Sequence, residues 1–410
     1  MSQPMKGVKI LEIAQYTFVP AAAAVLSDWG AEVIKVEPAE TGDAQRGIVH
    51  VLGLNALEPG SSFFPIMEGP NRNKRSIGLD LSKPESRAVV EALIRGADVF
   101  LTNYLPRLRT KFGIELEDVR RINPDIIYVR GSGFGARGPE ADSGGYDSTA
   151  FWARAGSAAH VTPSDSDGLC AMPTGAYGDN LGGMTIAGGI AAALYKRATT
   201  GEPSVVDVSL FGVGAWAMQF AINLSMVVGG PLNELGNPRS VGSKNPLSAS
   251  YKTSDDRWVM LTMLQPGRFW PGFVELIGRP ELATDERFDS AQKLMDNAPI
   301  AVQELAATIH QQPYDHWVKL FETMEGPWAP VQEAWDIAND PQLRANGLIA
   351  TVTDADGKER ELVTSPVQFD ETPQGLKRAP LFAEHTDEIL AEIGLSEEQI
   401  IDLKIAGAVT

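Results

Sequence analysis

Cysteine is nearly missing from this chain: Cys170 is the single one among 410 residues. An intramolecular disulfide framework and a cysteine-built metal centre are both excluded, and a reducing compartment is expected. Histidine is scarce as well. The five present, His50, His160, His310, His316 and His385, form neither an H-E-x-x-H pattern nor a Cys/His pairing, so no metal site is expected. No G-x-S-x-G elbow occurs either. Basic residues are outnumbered, 35 Lys and Arg against 53 Asp and Glu, for a formal net charge of −18. Nucleic acid and anionic membranes need a basic footprint, so neither is expected as a partner, and an anionic ligand would have to be met by a local cluster. A long hydrophobic run is also lacking. The most apolar stretch, residues 210–230, is interrupted by Gln219, Asn223 and four glycines, which favours a buried helix or a subunit interface over a membrane span. Residues 1–6 lack the charged head and apolar body of a signal peptide, so a cytoplasmic location is expected.

What is present is ordinary for a globular protein of two or three domains: 43% hydrophobic and 21% charged residues, enough to bury a large core. Residues 8–13 read as a strand, 21–29 as a helix and 32–37 as a second strand, a βαβ unit. Strands at 76–81, 99–103 and 126–130 follow, with a helix at 116–122. Another helix should open on the capping box Ser82-Lys83-Pro84-Glu85 and run to about Gly96. This alternation predicts an α/β, Rossmann-like large domain with a mostly parallel sheet, whose site lies beyond the carboxyl ends of the strands. Gly133-Phe134-Gly135-Ala136-Arg137-Gly138 has the dinucleotide spacing, but Pro139 and Asp142-Ser143-Gly144-Gly145 break the helix that the fingerprint requires. Residues 236–246 are rich in Gly, Pro, Asn and Ser and mark a boundary or loop. A hairpin signal at Ser254-Asp255-Asp256 and amphipathic helices near 269–277 and 300–311 then indicate a smaller α+β domain. The domain reading is 1–230 for the first part of the large domain, 236–329 for the small domain and 330–410 for a C-terminal return to the large one.

One stretch concentrates the chemistry. Thr174-Gly175-Ala176-Tyr177-Gly178-Asp179-Asn180-Leu181-Gly182-Gly183 places a single carboxylate between glycines, ahead of a small-residue helix expected at 184–199. Glycines let backbone approach a ligand closely, and a helix N-terminus would hold the carboxylate ionised, so Asp179 is a candidate nucleophile. Asp is also among the commonest N-cap residues, and the stretch alone leaves cap and catalyst both open. Three basic clusters, Arg46, Arg72/Lys74/Arg75 and Arg107/Arg109/Lys111, could meet a phosphate-bearing ligand or simply be solvated surface.

Several short motifs stand in a specific order: residues 30–37 (GAEVIKVE), Gly42-Asp43-Ala44-Gln45-Arg46, Asn71-Arg72-Asn73-Lys74-Arg75-Ser76, Asn103-Tyr104, residues 131–138, Gly145-Tyr146-Asp147, Gly178-Asp179-Asn180 and Glu384-His385-Thr386-Asp387-Glu388. In these the chain resembles, over nearly its whole length, the family III CoA-transferases, the group of formyl-CoA:oxalate and carnitine CoA-transferases that includes α-methylacyl-CoA racemase. The resemblance implies that Asp179 attacks the thioester of a donor acyl-CoA, giving a mixed anhydride and CoA thiolate. The thiolate then returns to leave an aspartyl-CoA thioester and a free donor acid, and an acceptor carboxylate reverses the sequence. Acyl-CoA and a small carboxylic acid are thus the implied substrates, coenzyme A serving as substrate with no permanently bound cofactor.

The resemblance also implies coenzyme A contacts at Gln15, Tyr16 and Thr17, the last replacing a glutamine of the formyl-CoA enzyme. Lys74 or Arg75 and Asn103 match adenine and ribose contacts, and Lys111 stands where the family often has a phosphate-binding arginine. Oxyanion donors are implied near Asn180 to Gly183 and in a small-domain glycine loop, here Val241-Gly242-Ser243-Lys244-Asn245-Pro246 with one glycine. An interlaced homodimer is implied as well. Two other functions remain within view. The racemases of the group use a His where this chain has Tyr146 and a Glu where it has Gln265, and neither Tyr nor Gln is a base at neutral pH. A CoA-binding protein without catalysis is the third reading, and the presence of Asp179 speaks against it.

Overall fold

The structure is a computed structural model that describes residues 3–51, 53–55, 60–163, 166–232, 245–373 and 375–410. The chain forms two compact units. The first takes Met1–Thr162, Asp167–Ile222 and Pro341–Thr410, so both ends of the chain build it; the second takes Pro163–Ser166 and Asn223–Asp340.

In the first unit, strands β1 (Lys9–Ile13), β2 (Glu32–Glu37), β3 (Arg75–Gly78), β4 (Val99–Thr102), β5 (Ile127–Ser132) and β6 (Val205–Ser209) form one sheet in the order β3-β2-β1-β4-β5-β6. Every pairing in it is parallel. The central strands carry apolar residues on both faces because helices cover both, as parallel crossovers require. Ile10, Val99, Leu101, Ile127 and Val129 meet helix α1 (Phe18–Asp28) and the long helix α5 (Tyr177–Thr200). Leu11, Phe100 and Tyr128, one residue out of phase, meet α2 (Ser86–Arg95) and α4 (Leu116–Ile122) on the other side. Between α2 and α4 lies α3 (Pro106–Phe112). The C-terminal segment closes the β3 edge: Gly78 N donates to Thr386 Oγ1 at 3.1 Å, His385 N to Ser76 O at 2.9 Å, and Ile389 and Leu390 join the core.

Two local expectations fail for identifiable reasons. Ser82-Lys83-Pro84-Glu85 is a turn rather than a capping box; Ser82 donates to Asp80, and α2 opens at Ser86 without a side-chain cap. The apolar run 210–230 is two helices, α6 (Leu210–Ala217) and α7 (Gln219–Val228), broken at Met218. Among the described residues no single helix is long and apolar enough to cross a membrane.

The second unit pairs β7 (Ser250–Lys252), β8 (Trp258–Leu261) and β9 (Trp328–Pro330) antiparallel, in the order β9-β8-β7. Tyr251, Val259 and Leu261 pack on Trp270, Phe273, Leu305, Trp317 and Phe321 from its helices.

Candidate active site

The sheet order reverses between β1 and β4, and the loops leaving their carboxyl ends are bound to each other. Gln15 N donates to Asn103 Oδ1 at 3.1 Å, Asn103 Nδ2 returns a bond to Gln15 O at 2.6 Å, and Gln15 Nε2 donates to the Tyr104 hydroxyl at 3.0 Å. Such a switch point is where open α/β sheets form a crevice. Next along the chain, Tyr16 adopts φ +65°, a left-handed conformation that a bulky residue keeps only under constraint. The constraint is Asp43, which accepts from Tyr16 N at 3.0 Å and from Gln45 N at 2.9 Å.

Asp43 is itself anchored in a buried charge network. Lys35 Nζ lies 2.8 Å from Asp43 Oδ2 and donates to Glu12 Oε1 at 2.9 Å and to Ala14 O at 3.0 Å. Glu12 Oε2 takes a second ammonium, Lys74 Nζ, at 2.6 Å, and Lys74 completes its valence on Pro20 O and Asn71 Oδ1. Burial pulls Lys74 down to about 8 against the attraction of Glu12. For Lys35 burial pulls in the same direction, but Asp43 and Glu12 together outweigh it and raise its pKa. Three oppositely paired elements, β1, β2 and the segment before β3, are thereby locked beneath the Tyr16 loop.

Above this floor is a cavity of about 300 Å³, with Tyr16, Asn103, Tyr104, Arg109, Tyr146 and Asp179 among its walls. Helix α5 begins at Tyr177, well ahead of the expected start, and puts Asp179 in its first turn. The glycines that look like helix breakers in the sequence are contact points. A Cβ on Gly182 would stand 2.3 Å from Phe18 Cε2 on α1, and one on Gly178 would stand 2.5 Å from Phe151 Cγ. They admit neighbouring side chains rather than a ligand. The cap reading of Asp179 is overturned too: the N-cap is Ala176, at φ 60°, with no side-chain cap bond. Asn180 N donates to Ala176 O at 2.9 Å, so that amide belongs to the helix and is not a free oxyanion donor.

Asp179 is half-buried, reached by solvent through the cavity and otherwise enclosed by protein. Burial, and then the charge of Asp147, push its carboxyl up from 3.8 to about 7. The expectation that the helix N-terminus would hold it ionised is therefore corrected. The dipole is worth about 0.3–1 kcal/mol, less than desolvation beside a like charge. Asp147 opens a π-helical segment, Asp147–Arg154, and is buried. Its Oδ1 accepts from Ser148 N at 2.7 Å, while its Oδ2 has no hydrogen bond. Burial raises its pKa against the pull of the backbone N–H groups of Ser148, Ala176 and Gly178. At the cavity mouth the rings of Tyr16 and Tyr146 meet edge-on, 5.7 Å between centroids, with Tyr146 58% exposed. The Tyr146 phenol, and then burial, raise the pKa of Tyr16.

Of the expected nucleophile and coenzyme A contacts, the cavity gathers Tyr16, Asn103 and Asp179, and it adds Arg109 from the third basic cluster. Gln15 stands behind them as the link between the two loops. Thr17 is buried and donates to Gln45 Oε1 at 2.9 Å. Lys74 is enclosed in the network above, Arg75 pairs with Glu388 and Glu392 on the outer surface, and Lys111 is exposed over the Phe112 ring. The basic clusters are largely committed to internal carboxylates: Arg46 to Glu37 at 2.7 Å and Arg72 to Asp28 at 2.6 Å. Arg109 turns inward, donating to Tyr104 O at 2.7 Å and pairing with Glu115 at 3.1 Å. Residues 241–244 of the expected glycine loop lie outside the described residues. The acidic neighbour Asp147 and the inward turn of Arg109 escaped the sequence reading. Asp147 had a signal, its place in Gly145-Tyr146-Asp147, but nothing in the spacing sets it beside Asp179.

Comparison with known proteins gives a consistent picture. The sequence profile of CoA-transferase family III matches residues 5–386. The (R)-2-hydroxy-4-methylpentanoate CoA-transferase of Clostridioides difficile is 30% identical over 407 residues, covering 98% of each chain. The cinnamoyl-CoA:phenyllactate CoA-transferase of Clostridium sporogenes is 31% identical over 409 residues, covering 97% of this chain and 95% of its own. Among solved structures, a CAIB/BAIF family protein from Brucella suis superposes with a TM-score of 0.81 at 26% identity, covering 96% of this chain and all of its own.

Proposed function

The chain belongs to CoA-transferase family III, and we propose that it moves coenzyme A from a donor acyl-CoA to an acceptor carboxylic acid with Asp179 as the covalent nucleophile. The observation that carries this reading is the Asp179 carboxylate itself, pushed up to about 7 and facing a cavity at the sheet's switch point. A partly desolvated carboxylate is a stronger nucleophile than one in water. Its oxygen bonds to the acyl carbon as the C–S bond breaks, and the electron pair leaves on the coenzyme A sulfur. The thiolate then attacks the Asp179 carbonyl of the mixed anhydride, releases the donor acid and leaves an aspartyl thioester. An acceptor carboxylate takes the same path backwards. Tyr16 and Asn103 are the coenzyme A contacts with cavity surface to offer. Lys74, Arg75 and Lys111 would reach a ligand only outside this cavity.

Each of the two relatives above has a 2-hydroxy acid in its name, 2-hydroxy-4-methylpentanoate in one and phenyllactate in the other, so 2-hydroxy acids come first among the acceptors to test. The racemase reading is the weaker one, because Tyr146 and Gln265 occupy the positions where the resemblance calls for His and Glu. A homodimer is supported by helix α7, which buries none of its residues although seven of its ten are apolar; Phe220 is 83% and Val227 84% exposed. Apolar surface of that kind is typical of obligate interfaces. We place the reaction in the cytoplasm. The test is a matrix of acyl-CoA donors against carboxylic acids, followed by mass spectrometry of the CoA products. Exchange that disappears in Asp179→Ala supports the reading. Cα deuterium wash-in to a 2-methylacyl-CoA without acyl exchange supports the racemase instead.

A further inference from the structure

Asp147 has no part in the chemistry just described, yet its buried carboxylate adds to the upward shift of Asp179. The two arginines on the cavity wall are paired elsewhere. Arg130 on β5 pairs bidentately with Asp207 on β6 at 2.6 and 3.0 Å, and Arg109 on α3 is held by Glu115 and Tyr104 O. Tyr16 and Tyr104, after β1 and β4, are phenols with raised pKa values; Asp142 and Tyr146, between β5 and Asp147, complete the set.

The placement of Asp147 is tightly determined. The π-helical segment it opens is packed against the start of α5, with the Phe151 ring filling the space that a Cβ at Gly178 would need. Its Oδ2 is buried without a hydrogen bond, and its Oδ1 accepts from the adjoining Ser148 N, at 2.7 Å. We propose that Asp147 is a positioning residue: a buried carboxylate, unpartnered at Oδ2 on the segment packed against the start of α5, whose charge opposes a second anion at Asp179 until acylation removes it. Resting on the nucleophile reading above, the argument is one of charge balance. Two carboxylates in one partly desolvated site repel, and forming the Asp179–acyl bond turns one of them into a neutral ester-like carbonyl. Repulsion is relieved only in the covalent intermediates, so it favours the attack on the thioester over the resting carboxylate.

The experiment is the pH profile of kcat/KM for CoA transfer in wild type, Asp147→Asn, Asp147→Glu and Asp179→Ala, with thermal melts to verify folding. Wild type should lose rate on the acid side below about pH 7, as the free nucleophile protonates. In Asp147→Asn, which keeps the shape and drops the charge, that acid limb should move down by about one pH unit while the maximal rate falls about tenfold or more. Asp147→Glu retains the charge and should keep its limb near that of wild type. A purely structural role would slow Asn and Glu variants alike and leave both limbs in place, and that outcome overturns the proposal. An unmoved limb in Asp147→Asn with an inactive Asp179→Ala sinks this inference alone; an active Asp179→Ala sinks the nucleophile reading beneath it.

Discussion

Replacing Asp179 with Asn should make the protein more stable, and by an amount that grows with pH. The native carboxyl is pushed from 3.8 up to about 7. Below the unfolded value the carboxyl is protonated in both states and nothing is lost. As pH rises from there the unfolded chain ionises first, so native stability declines until the folded pKa is passed and then levels off. At about 1.4 kcal/mol per pH unit the ceiling is about 4 kcal/mol; solvent entering through the cavity screens roughly half of it, leaving about 2 kcal/mol. Near pH 5 only about 1 kcal/mol of that cost has developed. Urea denaturation of wild type and Asp179→Asn, near pH 5 and near pH 8, isolates the effect, because any pH-independent consequence of the amide cancels in the difference. The advantage of Asp179→Asn should be larger at the higher pH by about 1 kcal/mol. An advantage that shrinks with rising pH, or is the same at both, would refute the claim that Asp179 is held as a raised-energy anion. The expectation also fits a general pattern, in which reactive sites are stored at some expense of stability.

Further consequences follow from the same geometry. Glu12→Gln leaves the Lys35 and Lys74 ammonium groups buried without their shared anion, and should lower unfolding free energy by about 3–5 kcal/mol in urea. Gly182→Ala sets two effects against each other. Helix propensity alone would stabilise α5 by up to about 1 kcal/mol, whereas the clash with Phe18 should destabilise by about 1–3 kcal/mol. A lowered melting temperature is expected, and a raised one would show that α1 and α5 are not in close contact there. Charge on the exposed apolar helix, as Phe220→Glu with Val227→Lys, should shift sedimentation from dimer to monomer; a wild type that sediments as monomer would remove the homodimer reading.

How far the fold could be read from the sequence depended on what carries the signal. β2 at Glu32–Glu37 and α4 at Leu116–Ile122 are legible to the residue, because a short β-branched run and apolar residues at helical spacing both act locally. The start of α5 is not. Gly178, Gly182 and Gly183 look like helix breakers, and only the approach of Phe151, Phe18 and Ala21 from distant segments explains why glycine stands there. The same limit applied to charge. Lys74, Arg75 and Lys111 look like ligand-binding bases in one dimension, yet Lys74 is claimed by Glu12 and Arg75 by Glu388 and Glu392, far away in sequence. Asp179 itself was visible as a candidate, but its neighbour Asp147, which helps set its energy, becomes apparent only when the two helical segments are packed together.

The most direct test of the account is to look for the covalent intermediate on Asp179. Wild-type protein is incubated with a donor acyl-CoA, trapped with hydroxylamine or borohydride, digested and sequenced by mass spectrometry. The account predicts a modified aspartate at Asp179, formed with donor alone and discharged when the acceptor acid is added. Unmodified Asp179 in protein that is turning over, or undiminished CoA transfer by Asp179→Ala, would contradict it.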